Sequence, residues 1–283
     1  MKINTDELCK KRLYLLDMDG TIYIDNTLFD GTLDFLKYIK EIGGKYMFLT
    51  NNSSKSVTKY IDKLSSLGID AVKDDFLTSA DATSIILRKM NYKKIYVLGT
   101  ASLKQQFKEE GHNICDTIED DIDCLCMGFD TELTFKKLED ACILLGNDKI
   151  DYIATNPDYV CPTSFGSVPD CGSVSDMLYN ATGRRPKFIG KPQPEMINLA
   201  IEKSGFKKEE AIIFGDRLYT DVASGKNAGI TAVFVLSGEG TMETLNQSDV
   251  KPDYIFKDIK EYYETLKKAW LRLFLSFINR FIG

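Results

Sequence analysis

Two carboxylates two residues apart, in Asp17-Met18-Asp19-Gly20-Thr21, follow directly on the apolar run Leu13-Tyr14-Leu15-Leu16. Alternate residues of a strand point to the same side, and a glycine lets the chain turn away sharply where the strand ends. That pairing suits a metal-bound nucleophile beside a proton donor. Three further segments carry compatible chemistry. Thr50-Asn51-Asn52-Ser53, after Tyr46-Met47-Phe48-Leu49, offers a hydroxyl, amides and backbone N–H groups entering a helix, a nest for phosphate oxygens. Gly190-Lys191-Pro192 supplies a cation just before a helix, and Gly215-Asp216-Arg217-Leu218-Tyr219-Thr220-Asp221 follows Ala211-Ile212-Ile213-Phe214 with a second acidic pair. Singly, each segment has an ordinary reading as a turn, a helix cap or a solvated surface residue. Jointly, all in strand-to-helix loops, they point to phosphoryl transfer.

The elements that must position these loops alternate short apolar strands with helical patterns, which implies α/β units around largely parallel sheets. Strands are expected at 13–16 and 46–49, with helices at 30–41 and 57–67, the latter capped by Gly68. A complete second set follows: helix 82–89, strand 95–98, helix 102–109, strand 123–127, helix 135–145, strand 152–154 and helix 173–180. The first pattern then resumes with strand Phe188-Ile189, helix 195–203, strand 211–214, helix 219–228 and strand 231–235. The expected layout is a first domain made of residues 1–79 and 184–265, an inserted domain at 80–183, and a C-terminal amphipathic helix at 266–283. All four chemical segments would then lie at the carboxyl ends of core strands, where open α/β sheets bind ligands.

Composition narrows the classes. The chain has 283 residues, 43% hydrophobic and 28% charged, the balance of a globular protein. Its net charge of -6 argues against a nucleic-acid scaffold, which needs a basic face. The seven cysteines are scattered, and Cys124 and Cys126 alternate on an expected strand without a second ligand pair, so ordinary thiols are favoured over zinc. With a polar amino terminus and no export signal, a reducing cytoplasmic setting is expected. The single histidine, His112, reads as a surface residue at a helix end.

On these residues the chain resembles the haloacid dehalogenase superfamily, whose four ordered motifs match the four segments. Phe48-Leu49-Thr50-Asn51-Asn52-Ser53, Ala154-Thr155-Asn156-Pro157-Asp158, Thr182-Gly183-Arg184-Arg185-Pro186 and Gly190-Lys191-Pro192-Gln193-Pro194 resemble subfamily IIA, the branch of NagD-like and p-nitrophenyl phosphatases. The resemblance implies an α/β fold: a Rossmann-like parallel-sheet core with an inserted α/β cap of the C2 type. The insertion point agrees, since about 30 residues separate Asp19 from Thr50 and about 140 separate Thr50 from Lys191.

It also implies a Mg²⁺-dependent phosphatase that hydrolyses small phosphomonoesters through an aspartyl-phosphate. Asp17 would be the nucleophile and Asp19 the acid and base. Metal ligands would be the Asp17 carboxylate, the Asp19 carbonyl and Asp216, with Asp221 an outer partner or an occasional ligand. Thr50, Asn51, Asn52 and Lys191 would hold the phosphoryl group. A phosphomutase on the same site, or a catalytically silent binding protein of this fold, are the competing readings. Specificity would reside in the cap, where Val168-Pro169-Asp170-Cys171-Gly172-Ser173 is the candidate loop. Asp170 there would favour a cationic or hydroxyl-rich substrate body, unless the loop merely caps the next helix.

The tail extends past the usual end of that family. Trp270, Leu273, Phe274, Phe277, Ile278 and Phe281 follow helical spacing, widened by Leu271, Leu275 and Ile282, with Lys267, Lys268, Arg272 and Arg280 adding basic character. Packing on the chain's own core, a homodimer contact and a membrane-surface contact are the three expectations it raises.

Overall fold

A computed structural model describes residues 5–53, 57–163 and 165–282, with the side chains of Pro162, Leu273, Phe274 and residues 276–282 outside that description. The chain forms two compact units. One comprises residues up to Leu49, Ile61–Phe76 and the chain from Ile197 on; the other comprises Thr50–Tyr60 and Leu77–Met196.

In the first unit a sheet runs in the order β15 (Tyr254–Phe256), β14 (Thr231–Val235), β13 (Ala211–Gly215), β1 (Leu13–Leu16), β4 (Lys45–Thr50) and β5 (Phe76–Thr78). Every pairing from β15 to β4 is parallel, and β1 lies between β13 and β4 with Leu13 opposite both Ala211 and Lys45. All four residues of β1 are buried, so the strand reads as a continuous apolar run and not as an alternation. Helix Thr32–Glu41 buries Phe35, Leu36 and Ile39. Helix Ile259–Ile282 buries Ile259, Tyr262, Leu266 and Ala269, at spacings of three and four residues that keep one stripe inward. Their rings meet those of β1 and β13 edge-on: Tyr14 and Phe35 are 5.4 Å apart, Phe35 and Tyr262 5.5 Å, Phe214 and Tyr262 4.6 Å. Such contacts contribute about 0.5–1.5 kcal/mol each beyond their buried area.

The second unit has its own sheet, in the order β12 (Lys187–Phe188), β9 (Asp151–Ala154), β8 (Cys124–Met127), β6 (Ile95–Leu98) and β7 (Ile114–Cys115), parallel throughout. An antiparallel hairpin, β10 (Val160–Thr163) with β11 (Gly166–Pro169), precedes helix Cys171–Thr182. That helix and helix Phe135–Leu145 press Leu178, Leu144 and Leu145 onto Leu125, Met127 and Tyr152 of the sheet. All seven cysteines are free thiols; burial pushes the Cys126 thiol up to about 12.

Four expectations are corrected. The strand at Phe188, read as the return to the first pattern, is β12 and pairs with β9, so the second unit extends past 183 to Met196. Two residues of strand cannot declare their sheet in sequence; only the pairing of Lys187 with Ile153 and Phe188 with Ala154 does. The expected helix 219–228 is a π-helical turn, Leu218–Val222, continued by the α-helix Ala223–Ala228. The segment from 266 is no separate element, because one helix runs from Ile259 to Ile282. Its start packs on the first unit, whereas Trp270, Leu271 and Leu275 are exposed. The expected apolar positions Leu273, Phe274, Phe277, Ile278, Phe281 and Ile282, with Arg280, lie outside the described side chains. Among the described residues, no helix is long and apolar enough to cross a membrane. His112, expected at the surface, is half-buried, and its Nε2 lies 2.7 Å from the Ser84 hydroxyl.

Candidate active site

Parallel pairing brings β1 and β13 side by side, so the loops leaving their carboxyl ends are neighbours. Asp17 follows β1 directly, and its N–H donates to the Phe214 carbonyl at 3.0 Å, locking that register one residue past the strand. Asp216 follows β13, and Asp221 comes round on the π-helical turn. One carboxylate oxygen from each of Asp17, Asp216 and Asp221 lies within 4.8 Å of the others. Asp216 and Asp221 are buried. Gathering like charges out of water is unfavourable: burial, and then the Asp221 charge, push the Asp216 carboxyl up to about 6.

The loop after β14 closes on Asp216. Its Oδ2 accepts the Glu239 N–H at 2.7 Å, and the Ser237 hydroxyl donates to the Gly20 carbonyl at 2.7 Å. Gly20 has φ +82 and Gly238 lies against it; a Cβ at either would stand 2.4 Å or 2.1 Å from Asp216 Oδ2. No side chain larger than hydrogen fits at those two positions. Asp221 is held by the Arg217 N–H at 3.3 Å and the Thr220 hydroxyl at 3.4 Å. Asp216 Oδ1, in contrast, is buried with no hydrogen-bond partner among the described residues. An orphaned anionic oxygen beside two further carboxylates fits a hard divalent cation such as Mg²⁺, which takes oxygen ligands. Asp19 is not one of the clustered carboxylates, and its side chain is 69% exposed.

In the second unit, Asn51 ties together two loops that are 140 residues apart in sequence. Its Oδ1 accepts the Lys191 N–H at 2.8 Å, while its Nδ2 donates to the Lys191 carbonyl at 2.8 Å and to Asp158 Oδ2 at 3.0 Å. Its own carbonyl accepts from Ser79 Oγ at 2.6 Å and Asn156 Nδ2 at 2.9 Å. The Asn51 side chain is thus committed to fixing the Lys191 backbone. Lys191 itself is 3% exposed, far from the solvated residue that a lone surface lysine would be. The Thr50 hydroxyl accepts the Asn52 N–H at 3.2 Å, and Gly190 packs so closely on Asn51 and Thr155 that a Cβ would stand 2.6 Å from either.

Asp170 is built into the start of the helix that follows it. It is buried, caps helix Cys171–Thr182 by accepting the Cys171 N–H at 2.6 Å, and is pushed up to about 6 by burial. This is the geometry that the capping alternative describes.

Sequence reading missed Ser79, which supports Asn51, and Gly238 with Glu239, which close on Asp216. Asn156 and Asp158 belonged to a segment noticed only for its resemblance. Gly238 was detectable: Ser237-Gly238-Glu239-Gly240 follows the strong strand β14 just as the other chemical loops follow theirs. Ser79 has no such signal.

A fold and loop set of this kind define a class of hydrolase, and comparison with known proteins agrees. Residues 14–113 match the model of the haloacid dehalogenase-like hydrolases, and residues 188–262 match a second, HAD-hydrolase-like model. An acid sugar phosphatase of Staphylococcus aureus is 33% identical over 258 residues, 91% of this chain and 98% of that protein. The chain belongs to the haloacid dehalogenase-like hydrolases. Among solved structures, a 4-nitrophenylphosphatase from Thermotoga maritima is 43% identical with a TM-score of 0.86, covering 92% of this chain and 99% of that one. NagD from E. coli K-12 is 29% identical with a TM-score of 0.81, covering 89% and 98%. Within the family the chain therefore falls in the NagD and p-nitrophenyl phosphatase branch, a branch of phosphatases.

Proposed function

We propose that this phosphatase hydrolyses small phosphomonoesters by attack of the Asp17 carboxylate on phosphorus, forming an aspartyl-phosphate that water then cleaves. The observation that carries this reading is the convergence of Asp17, Asp216 and Asp221, with Asp216 Oδ1 buried and without a hydrogen-bond partner among the described residues. Asp17, Asp216 and Asp221, with the Asp19 carbonyl, would hold Mg²⁺, which when bound offsets the charge of the phosphate dianion. The chain's own groups do the rest. The exposed Asp19 carboxyl gives a proton to the leaving oxygen as the ester bond breaks, then takes one from the attacking water. Lys191, the Thr50 hydroxyl and the backbone N–H groups after β4 neutralise and orient the phosphoryl oxygens. The Asn51 side chain holds the Lys191 backbone still while this happens, so its role is in positioning.

The names of the relatives make 4-nitrophenyl phosphate the natural probe and sugar phosphates the first physiological class to try. The wild type should release 4-nitrophenolate with Mg²⁺ and stop with a chelator. Absence of hydrolysis across nucleotides, sugar phosphates, phosphoglycolate and pyridoxal phosphate as well would contradict the proposal.

A further inference from the structure

Asp19 is exposed, yet two side chains reach it, one from its own turn and one from a distant helix. Lys63, on helix Val57–Ser66, places Nζ 3.5 Å from Asp19 Oδ1. Tyr23, on β2 (Tyr23–Ile24) of the small hairpin with β3 (Thr27–Leu28), places its hydroxyl 3.3 Å from Asp19 Oδ2. These two are also joined to each other, for Lys63 Nζ lies 3.8 Å from the centroid of the Tyr23 ring. Tyr23 is fully buried, and its carbonyl accepts the Gly20 N–H at 2.8 Å, so the ring is a fixed platform under the ammonium group. Lys63 keeps only 31% of its side chain exposed. Each carboxylate oxygen of Asp19 thus has a separate donor, and the donors share an anchor.

We propose that Lys63 and Tyr23 are positioning residues for Asp19: they select the rotamer from which it protonates the leaving oxygen. The inference rests on the phosphatase reading above. A general acid works only within hydrogen-bond reach of the atom it protonates, and an exposed aspartate has no packing to keep it there. An ammonium over a buried ring and a buried hydroxyl supply what packing does not. Misplacing the acid should matter in proportion to how much the leaving group needs its proton. A nitrophenolate departs as the anion; an alkoxide does not.

The test is a leaving-group series, 4-nitrophenyl, phenyl and an alkyl (sugar) phosphate, run with Mg²⁺ on the wild type, Lys63→Met, Lys63→Arg, Tyr23→Phe and Asp17→Asn. Lys63→Met should lower kcat about fivefold on the alkyl ester but about twofold or less on the nitrophenyl ester, with KM held. Tyr23→Phe keeps the ring and should show the same gradient, weaker. Lys63→Arg keeps the charge over the ring and should recover most of the loss. Equal losses along the series, or none, would overturn the assignment, as would Lys63→Arg behaving like Lys63→Met. The two levels separate cleanly: an inactive wild type, or activity surviving Asp17→Asn, sinks the phosphatase reading, whereas an active wild type with a flat Lys63→Met series sinks only this one.

Discussion

The carboxylates after β1 and β13, buried except for the half-buried Asp17, and the buried amide of Asn51 are both polar clusters, but they are built on opposite terms. Asn51 meets the backbone N–H and carbonyl of Lys191 and the Asp158 carboxylate with its own two polar atoms, all between 2.8 and 3.0 Å. The acidic cluster sets like charges together and leaves Asp216 Oδ1 without a partner among the described residues. Satisfied groups rigidify a fold, whereas a buried charge with no partner costs stability until something binds it. The difference teaches which cluster holds geometry and which awaits a ligand. Stability and activity should consequently respond with opposite signs in the two places.

The largest effect should come from Asp17→Asn. Removing the nucleophile is expected to lower kcat on 4-nitrophenyl phosphate by about 10⁴-fold or more with KM little changed. Next, Asp216→Asn should weaken Mg²⁺ activation by at least about 100-fold while raising the unfolding midpoint of the chelator-treated protein, because one of the crowded charges is gone. A lower midpoint in that variant would break the contrast drawn above. Asn51→Ala should do the reverse, destabilising the protein by about 2–3 kcal/mol in urea unfolding, with or without Mg²⁺, since it strands buried partners. The smallest effect concerns Asp170. Its folded-state value, about 6, is above the ordinary carboxyl value, so the folded protein binds this proton more tightly than the unfolded chain does. The charged form therefore weakens the fold above pH 6, and the penalty is relieved as pH falls through 6 towards 4. Asp170→Asn keeps an acceptor for the Cys171 N–H and should abolish that part of the pH dependence; an unchanged profile would return Asp170 to the surface.

The Asp17, Thr50 and Asp216 loops were legible because each follows a strand long and apolar enough to stand out. Leu13–Leu16, Ala211–Phe214 and Thr231–Val235 are buried on both faces, and that is what makes them visible. Short pieces were not. Ile114–Cys115, Phe76–Thr78 and the hairpin of Val160–Thr163 with Gly166–Pro169 carry too few residues for a period to show, and Lys187–Phe188 was assigned to the wrong sheet for the same reason. Helix Ser79–Met90 was begun three residues late, at Ala82, although Thr78 and Asp81 form a reciprocal capping box with 3.0 Å bonds in both directions. In the site, Asp17, Asp216 and Asp221 stand out in sequence and lie together in the fold, whereas the pair of hydrogen bonds between Asn51 and Lys191 is hidden, because an amide in a turn looks the same whichever backbone it binds. Lys63 lies in a helix with nothing local to mark it.

The central claim is that Asp17 attacks phosphorus. Hydrolysis of a phosphorothioate monoester made chiral at phosphorus by one heavy oxygen isotope, in water labelled with the third isotope, reports this directly. Transfer first to Asp17 and then to water inverts the centre twice, so the released thiophosphate should show net retention of configuration. Net inversion would mean that water attacks the substrate itself, and Asp17 would then not be the nucleophile.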